Sequence, residues 1–443
     1  MKRKWTIDSW RQYPIQQQPK WSNKNLFIEV IDKLNKLPAL VFSGETRELK
    51  NELKKINKNK GFLLQAGHCS ESFDYCNGPK IHNFLRIILQ MATVLEFNTN
   101  MKIIKIGRIA GQYAKPRSSD FEIINGNKVP SYRGDMVNNS TKDLEARTPN
   151  PNRLLEGYFR SAATLNLIRA FIQGGYSNIR NFSDWKEHLF KKEVSNLKYY
   201  RYMENELTNS LEHKNLSYEI PSNDKVYISH EALLLDYEEA FTRIDTTSGD
   251  YYSTSAHNLW IGNRTRQSEG AHVEFASGIG NPVGIKIGTD YSIKEIIKII
   301  KKINPDNEDG KIILISRMGY ENIETKLKPL IKAIKDNELE VTWCCDPMHG
   351  NTFNYDNYKV RNFDHIVSEI SSFFKLCRVE NIVPGGVHLE ITGENVTECI
   401  GGINGLTLSN LADNYESKVD PRLNAAQALE IAFIIRKLLN ESN

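Results

Sequence analysis

A thiol, an imidazole and a carboxylate stand at the ends of three short apolar runs. Cys69 lies in Gln65-Ala66-Gly67-His68-Cys69-Ser70-Glu71, His349 in Asp346-Pro347-Met348-His349-Gly350-Asn351, and Glu390 closes Val387-His388-Leu389-Glu390. These ligand types suit a borderline divalent metal, and imidazole with carboxylate tolerates manganese, cobalt, zinc or iron. Cations end other runs: Arg108, with Lys115, Arg117 and Ser118 behind it, then Arg264 and Arg266, Lys286, and Arg317. Fixed cations gathered in one dry mouth repel one another unless a polyanion binds, and two phosphates with a carboxylate would supply that charge. The chemistry indicated is a metal-assisted condensation of phosphorylated substrates, with the ion as a Lewis acid on an aldehyde oxygen.

Taken singly, each residue has a plainer reading. Cys69 suits a core thiol, His349 a hydrogen-bonded core histidine, and Glu390 the partner of an arginine. Asp420 precedes Pro421 and a long apolar helix, so its local sequence reads as an N-cap. Only convergence on one rim favours the chemical reading, and convergence requires a particular fold.

The elements that would position these residues are eight apolar, mostly β-branched runs. They are Phe62-Leu63-Leu64, Ile103-Ile104-Lys105-Ile106, Val226-Tyr227-Ile228, Asn258-Leu259-Trp260-Ile261, Val283-Gly284-Ile285-Lys286-Ile287, Ile312-Ile313-Leu314-Ile315, Val341-Thr342-Trp343 and Val387-His388-Leu389. Continuous apolar strands are buried on both faces, as in a parallel sheet. Between them lie helical periods such as Ile293, Ile296, Ile297, Ile300 and Ile303, with lysines opposite. Eight such units predict an α/β (β/α)8 TIM barrel, whose chemistry sits at the C-terminal strand ends. An open doubly wound sheet is the rival, but no Gly-rich phosphate fingerprint follows the first strand.

Residues 1–45 read as a polar N-terminal extension with an amphipathic stretch from Leu26 to Leu40, and residues 46–443 as the barrel domain. Two stretches break the rhythm: a long polar segment at 119–152, and an expected helical pair inserted at about 181–222. The 443 residues carry 40% hydrophobic and 25% charged side chains and a net charge of +4, which argues for an anionic ligand and against a nucleic-acid-coating surface. No apolar run approaches the ~18 residues that span a bilayer. Met1-Lys2-Arg3-Lys4-Trp5 has no apolar h-region behind it, so the expected location is cytoplasmic. The six cysteines, at 69, 76, 344, 345, 377 and 399, match neither a disulfide framework nor a paired C-x-x-C zinc site.

Longer strings carry a family resemblance. The run Gly107-Arg108-Ile109-Ala110-Gly111-Gln112-Tyr113-Ala114-Lys115-Pro116-Arg117-Ser118 resembles class II DAHP synthases, as do Ser131-Tyr132-Arg133-Gly134-Asp135-Met136-Val137-Asn138 and Ser229-His230-Glu231-Ala232. So do Trp260-Ile261-Gly262 with Arg264-Thr265-Arg266-Gln267, Cys345-Asp346-Pro347-Met348-His349-Gly350-Asn351-Thr352, Pro384 through Glu390, Thr392 through Cys399, and Asp420-Pro421-Arg422-Leu423-Asn424. The likeness spans about residues 5–440. It implies a (β/α)8 barrel that joins phosphoenolpyruvate to erythrose 4-phosphate, giving 3-deoxy-D-arabino-heptulosonate 7-phosphate at the first step of the shikimate pathway. It also implies metal ligation by Cys69, His349, Glu390 and Asp420, with manganese the first expectation. Arg108, Lys286 and Arg317 would bind phosphoenolpyruvate, Arg264 would lie between the substrates, and Lys115, Arg117 and Ser118 would hold the sugar phosphate. A homo-oligomer is expected.

Three positions depart from the family pattern: His68 and Asn263 stand where acids are usual, and Val419 where a cysteine is common. Loss of two acids would make the mouth more positive, and Val419 removes one disulfide partner for Cys69. These departures motivate a second reading, a secondary-metabolite paralogue making the same product or an amino-sugar analogue. A third is a catalytically silent barrel that binds phosphorylated metabolites.

Overall fold

The computed structural model describes residues 5–124, 126–175, 205 and 225–441. Each of the eight expected runs supplies one strand: β1 (Gly61–Gly67), β2 (Lys102–Arg108), β3 (Val226–Glu231), β4 (Asn258–Ile261), β5 (Val283–Ile287), β6 (Ile312–Ser316), β7 (Thr342–Cys345) and β8 (Gly386–Glu390). All pair in parallel, in the order β1-β8-β7-β6-β5-β4-β3-β2, and close into a barrel. A helix follows every strand: α1 (Gly78–Glu96), α2 (Asn152–Gln173), α3 (Leu235–Ala240), α4 (Ala271–Ser277), α5 (Ile293–Ile303), α6 (Ile323–Asp336), α7 (Phe363–Val379) and α8 (Ala425–Asn440). The predicted apolar face of α5 buries Ile296, Ile299, Ile300 and Ile303.

Two cores result. The larger lies between strands and helices; the smaller fills the barrel with Leu63, Ile104, Ile106, Tyr227, Trp260, Ile313, Ile315 and Cys344. The helix Ser43–Leu53 adds Leu49 and Leu53 to this inner core. Toward the other end the inner side chains turn polar: Gln65 follows Leu63, Arg108 follows Ile106, and Gln65, His388 and Arg108 hydrogen-bond in a chain. Register keeps these ends level, because Gly67 pairs with Arg108 on one side and with Glu390 on the other. A polar mouth therefore opens at the C-terminal strand ends, where a (β/α)8 barrel holds its chemistry.

The N-terminal segment lies on its own barrel. Trp10 is buried and its indole N–H donates to Glu239 at 2.8 Å, while the Ser9 hydroxyl donates to Glu274 at 2.9 Å. The amphipathic stretch forms a helix, Lys24–Lys36, capped by Asn23 and burying Val30 and Leu34. The expected boundary at 45/46 falls within the helix Ser43–Leu53, and the expected helical pair at 181–222 lies outside the described residues apart from residue 205.

Segment 119–152 is not the unpatterned stretch its composition predicts. It holds an antiparallel hairpin, Phe121–Ile124 with Asn127–Pro130, and a short helix, Leu144–Arg147. The strands are only four residues long and mostly solvent-facing, so they carry no alternating apolar signal. Between them and α2 the chain buries Tyr132, Asp135 and Asn138, pinned by Ser72 to Asp135 (2.9 Å) and by Asn138 to the carbonyls of Ser131 and Arg147. A second hairpin missed by sequence reasoning, Thr352–Tyr355 with Tyr358–Asn362, follows β7. Among the described residues no helix is long and apolar enough to cross a membrane.

Candidate active site

Cys69, two residues past β1, His349 in the loop after β7, Glu390 at the end of β8 and Asp420 in the loop before α8 meet at the mouth. One ligand atom from each lies within 4.8 Å of the others. Asp420 is not a helix cap: Asn424 caps α8, its side chain accepting from Gln427 N–H while Gln427 reaches back to Asn424 N–H. The local reading failed because the cap sits four residues further on, leaving Asp420 free to face Cys69 Sγ at 3.3 Å.

Asp346 orients the imidazole. Its Oδ2 lies 2.7 Å from His349 Nδ1, which leaves Nε2 facing Glu390 Oε1 at 3.0 Å. A carboxylate behind a histidine fixes the ring and its tautomer for a metal on the far nitrogen. The donors present (one sulfur, one nitrogen and two carboxylates, all within a few ångströms) fit a borderline divalent ion.

Cations hold the acids ionised. Burial alone would raise Glu390, but His349, Arg361 and Arg108 keep it well below the ordinary carboxylate range. Burial likewise opposes Lys115, Arg361 and Lys359 at Asp420, and the cations prevail. Arg361 Nη1 reaches Glu390 Oε2 at 2.6 Å, Arg108 Nη2 reaches Oε1 at 3.0 Å, and Lys359 Nζ reaches Asp420 Oδ1 at 2.7 Å. Lys115 Nζ bonds both Asp420 and Cys69 Sγ, the latter at 2.8 Å. Burial, reinforced by Glu390, pushes the Cys69 thiol up to about 12, against the pull of Lys115. A bound cation would therefore have to displace the thiol proton.

The expected substrate cations divide into two sets. Arg108 and Lys286 line the mouth over one aromatic ring, the Arg108 guanidinium 5.2 Å and the Lys286 ammonium 5.6 Å from the centre of the Trp260 ring. Lys286 also pairs with Asp346 at 3.0 Å, and Arg317 donates to the carbonyl of His349 at 3.2 Å. Farther out, Arg264 and Ser118 are exposed, and Arg117 is paired with Glu122 at 2.6 Å. Arg266 is turned away, bonded to Asn263 and to the carbonyl of Asp290.

Sequence reasoning missed Lys359, Arg361, Asp346 and Glu231. The strand Tyr358–Asn362 sends Lys359 and Arg361 to the same face, a period of two that was legible only once the strand itself was recognised. Glu231, at the end of β3, is enclosed by Lys286, Lys115 and Arg108; its Oε1 is buried without a hydrogen-bond partner, and burial raises its pKa.

The three unusual positions are all built in. His68 is buried against Tyr75 and Phe84, and burial, with Arg422 and Arg108, holds it neutral, so it adds no positive charge. Asn263 Oδ1 accepts from Gly288 N–H (2.9 Å) and Arg266 Nε (3.1 Å), tying the ends of β4 and β5. Val419 packs with Cys69 and Tyr132, and all six cysteines are free thiols.

The chain matches the Class-II DAHP synthetase family over residues 5–436. It is 40% identical over 438 residues to the phospho-2-dehydro-3-deoxyheptonate aldolase of Streptomyces coelicolor, covering 98% of this chain and 97% of that one. It is 40% identical over 451 residues to the Neurospora crassa protein of the same name, covering 97% of this chain and 93% of that one. A solved Francisella tularensis structure of that name covers 100% of this chain and 99% of its own at 14% identity, with a TM-score of 0.46, too loose a likeness to bear on the site.

Proposed function

The chain belongs to the class-II DAHP synthetase family, and from that premise we propose that it condenses phosphoenolpyruvate with erythrose 4-phosphate, metal-dependently, at the first step of the shikimate pathway. The observation that carries the metal part is the meeting of Cys69, His349, Glu390 and Asp420 beside the Arg108 and Lys286 cations. Those four residues would hold the ion, manganese first with cobalt, zinc or iron as alternatives. A bound divalent ion supplies Lewis-acid polarisation of an aldehyde oxygen.

The chain's own groups do the rest. Arg108, Lys286 and Arg317 bind the phosphate and carboxylate of phosphoenolpyruvate, with Trp260 below Arg108 and Lys286. Lys115, Arg117 and Ser118 take the sugar phosphate, and Arg264 lies between the two substrates. Holding both anions in near-attack geometry brings the methylene carbon of phosphoenolpyruvate to the aldehyde carbon, where the new C–C bond forms as the C=C and C=O π bonds open. The aldehyde oxygen becomes a hydroxyl, its proton balanced by the one the added water gives up. Water then adds to the carbon bearing the phosphate ester, and the C–O bond breaks to release inorganic phosphate. Glu231, with a raised pKa and a free oxygen among these cations, is suited to take the proton of that water. The reading also carries a cytoplasmic enzyme that works as a homo-oligomer.

Phosphoenolpyruvate labelled with 18O at the bridging ester oxygen tests the chemistry. With erythrose 4-phosphate and metal, the label should leave in inorganic phosphate; label retained in the sugar-acid product would contradict C–O cleavage.

A further inference from the structure

Glu369 is wholly buried on α7, among Ile366, Ile370 and Phe373, where packing alone asks for an apolar side chain. Burying a carboxylate is costly unless hydrogen bonds offset it. Three do. Oε1 accepts from the Met318 and Gly319 N–H groups, each at 3.0 Å, and Oε2 accepts from Asn351 Nδ2 at 2.7 Å. Burial foremost, then the charge of Asp346, raises this group, but three donors converging on its two oxygens, with no acceptor shown for a carboxyl O–H, favour the ionised form.

The donors come from two loops. Met318 and Gly319 directly follow Arg317 after β6; Asn351 lies two residues past His349 after β7. Asn351 also joins them itself, accepting from Tyr320 N–H at 3.0 Å and donating to the carbonyl of Pro347 at 2.8 Å. The loops touch backbone to backbone, since a Cβ on Gly350 would sit 2.3 Å from Gly319 N. Gly319 also has φ of +83°, which favours glycine. Arg317 Nη2 then donates to the His349 carbonyl at 3.2 Å.

We propose that Glu369, acting through Asn351, is a positioning residue that locks the Arg317 loop to the His349 loop, so that the anion cation and the metal-ligating imidazole are set by one buried carboxylate. The roles of Arg317 and His349 rest on the function proposed above; the clamp itself does not. A carboxylate serves this purpose because it accepts on both oxygens. Glutamine would keep Oε1 for Met318 and Gly319 but oppose Asn351 with a donor against a donor. Changing Asn351 to aspartate would give that glutamine amide an acceptor again, at the cost of the bond to the Pro347 carbonyl.

The test compares Glu369→Gln, Asn351→Asp and the double variant with the full-length wild type. Hydrogen exchange in peptides covering 317–322 and 346–352 is read without metal or substrate, and KM for phosphoenolpyruvate with manganese present. Each single variant should speed exchange in both loops and raise KM about tenfold, the effect of roughly 1.4 kcal/mol, and the double, which still lacks the bond to Pro347, should recover part of both relative to Asn351→Asp. Unchanged exchange in Glu369→Gln, or a double variant no better than Asn351→Asp, overturns the clamp. Faster exchange throughout the chain that the double does not reverse also counts against it. A wild type without turnover would sink the function and leave the exchange result to decide the clamp.

Discussion

Asp346 meets two groups of the site at once: its Oδ2 lies 2.7 Å from His349 Nδ1 and 3.0 Å from Lys286 Nζ. Burial would raise this acid, but His349 and Lys286 hold it well below the usual range. Removing such an outer carboxylate loosens the histidine it orients and typically costs about 10–100-fold in metal affinity. Asp346→Asn should therefore bind manganese or cobalt that much more weakly in a direct titration; unchanged affinity would remove Asp346 from the metal's supporting shell. Lys311 illustrates the opposite balance. It is buried with its ammonium on the carbonyls of Ile279 and Asn281, and burial, then Lys50, lowers it to about 7. The unfolded lysine titrates near 10.4. Between those values the unfolded chain binds the extra proton, so stability from this group rises with pH across the window and is lowest below about pH 7. Lys311→Met should flatten the rise of Tm between pH 7 and 10 (roughly that window), and an unchanged slope would contradict the burial account.

At the scale of elements, the hairpin Thr352–Tyr355 with Tyr358–Asn362 matters more than its length suggests. It carries Lys359 to Asp420 and Arg361 to Glu390, and Arg361 also donates to the carbonyl of Pro421. Both Arg361 and Glu390 are fully buried, and Arg108 still holds Glu390 Oε1, so deleting Arg361 strips Oε2 of its cation, at a cost of up to about 3–5 kcal/mol. Arg361→Met should shift urea unfolding by that order; a loss under about 1 kcal/mol would mean Glu390 is compensated elsewhere. This hairpin also marks what sequence reasoning could and could not see. The eight barrel strands were legible because strands covered on both faces are continuous apolar runs. The hairpin Thr352–Tyr355 with Tyr358–Asn362 was not, because its short strands mix Asn, Lys, Arg and Tyr and bury only Val360 and Arg361. Asp420 was misread locally for a related reason: Asp-Pro before a helix looks like a cap, and only the capping pair of Asn424 and Gln427 shows where the helix begins.

On the scale of the whole molecule, the site is a consequence of barrel closure. Cys69 and Asp420 are 351 positions apart, and Arg108 and Glu390 are 282 apart, yet both pairs are in contact. Residue types at strand ends suggested a metal and phosphate chemistry, but distances followed only from the parallel register that sets Gly67 level with both Arg108 and Glu390. The apolar inner core at the other end, which includes Leu49 and Leu53 of the helix Ser43–Leu53, leaves the polar end as the open mouth. In the function proposed, these converged groups turn over phosphoenolpyruvate with a four-carbon sugar phosphate on a divalent ion. The most direct test follows phosphoenolpyruvate in manganese-loaded protein, with and without erythrose 4-phosphate, after EDTA, and in Cys69→Ala. Loss that requires the sugar and disappears in both the EDTA-treated and Cys69→Ala samples is expected. No loss with metal verified in the protein, or loss that survives EDTA and Cys69→Ala, would contradict the proposed function.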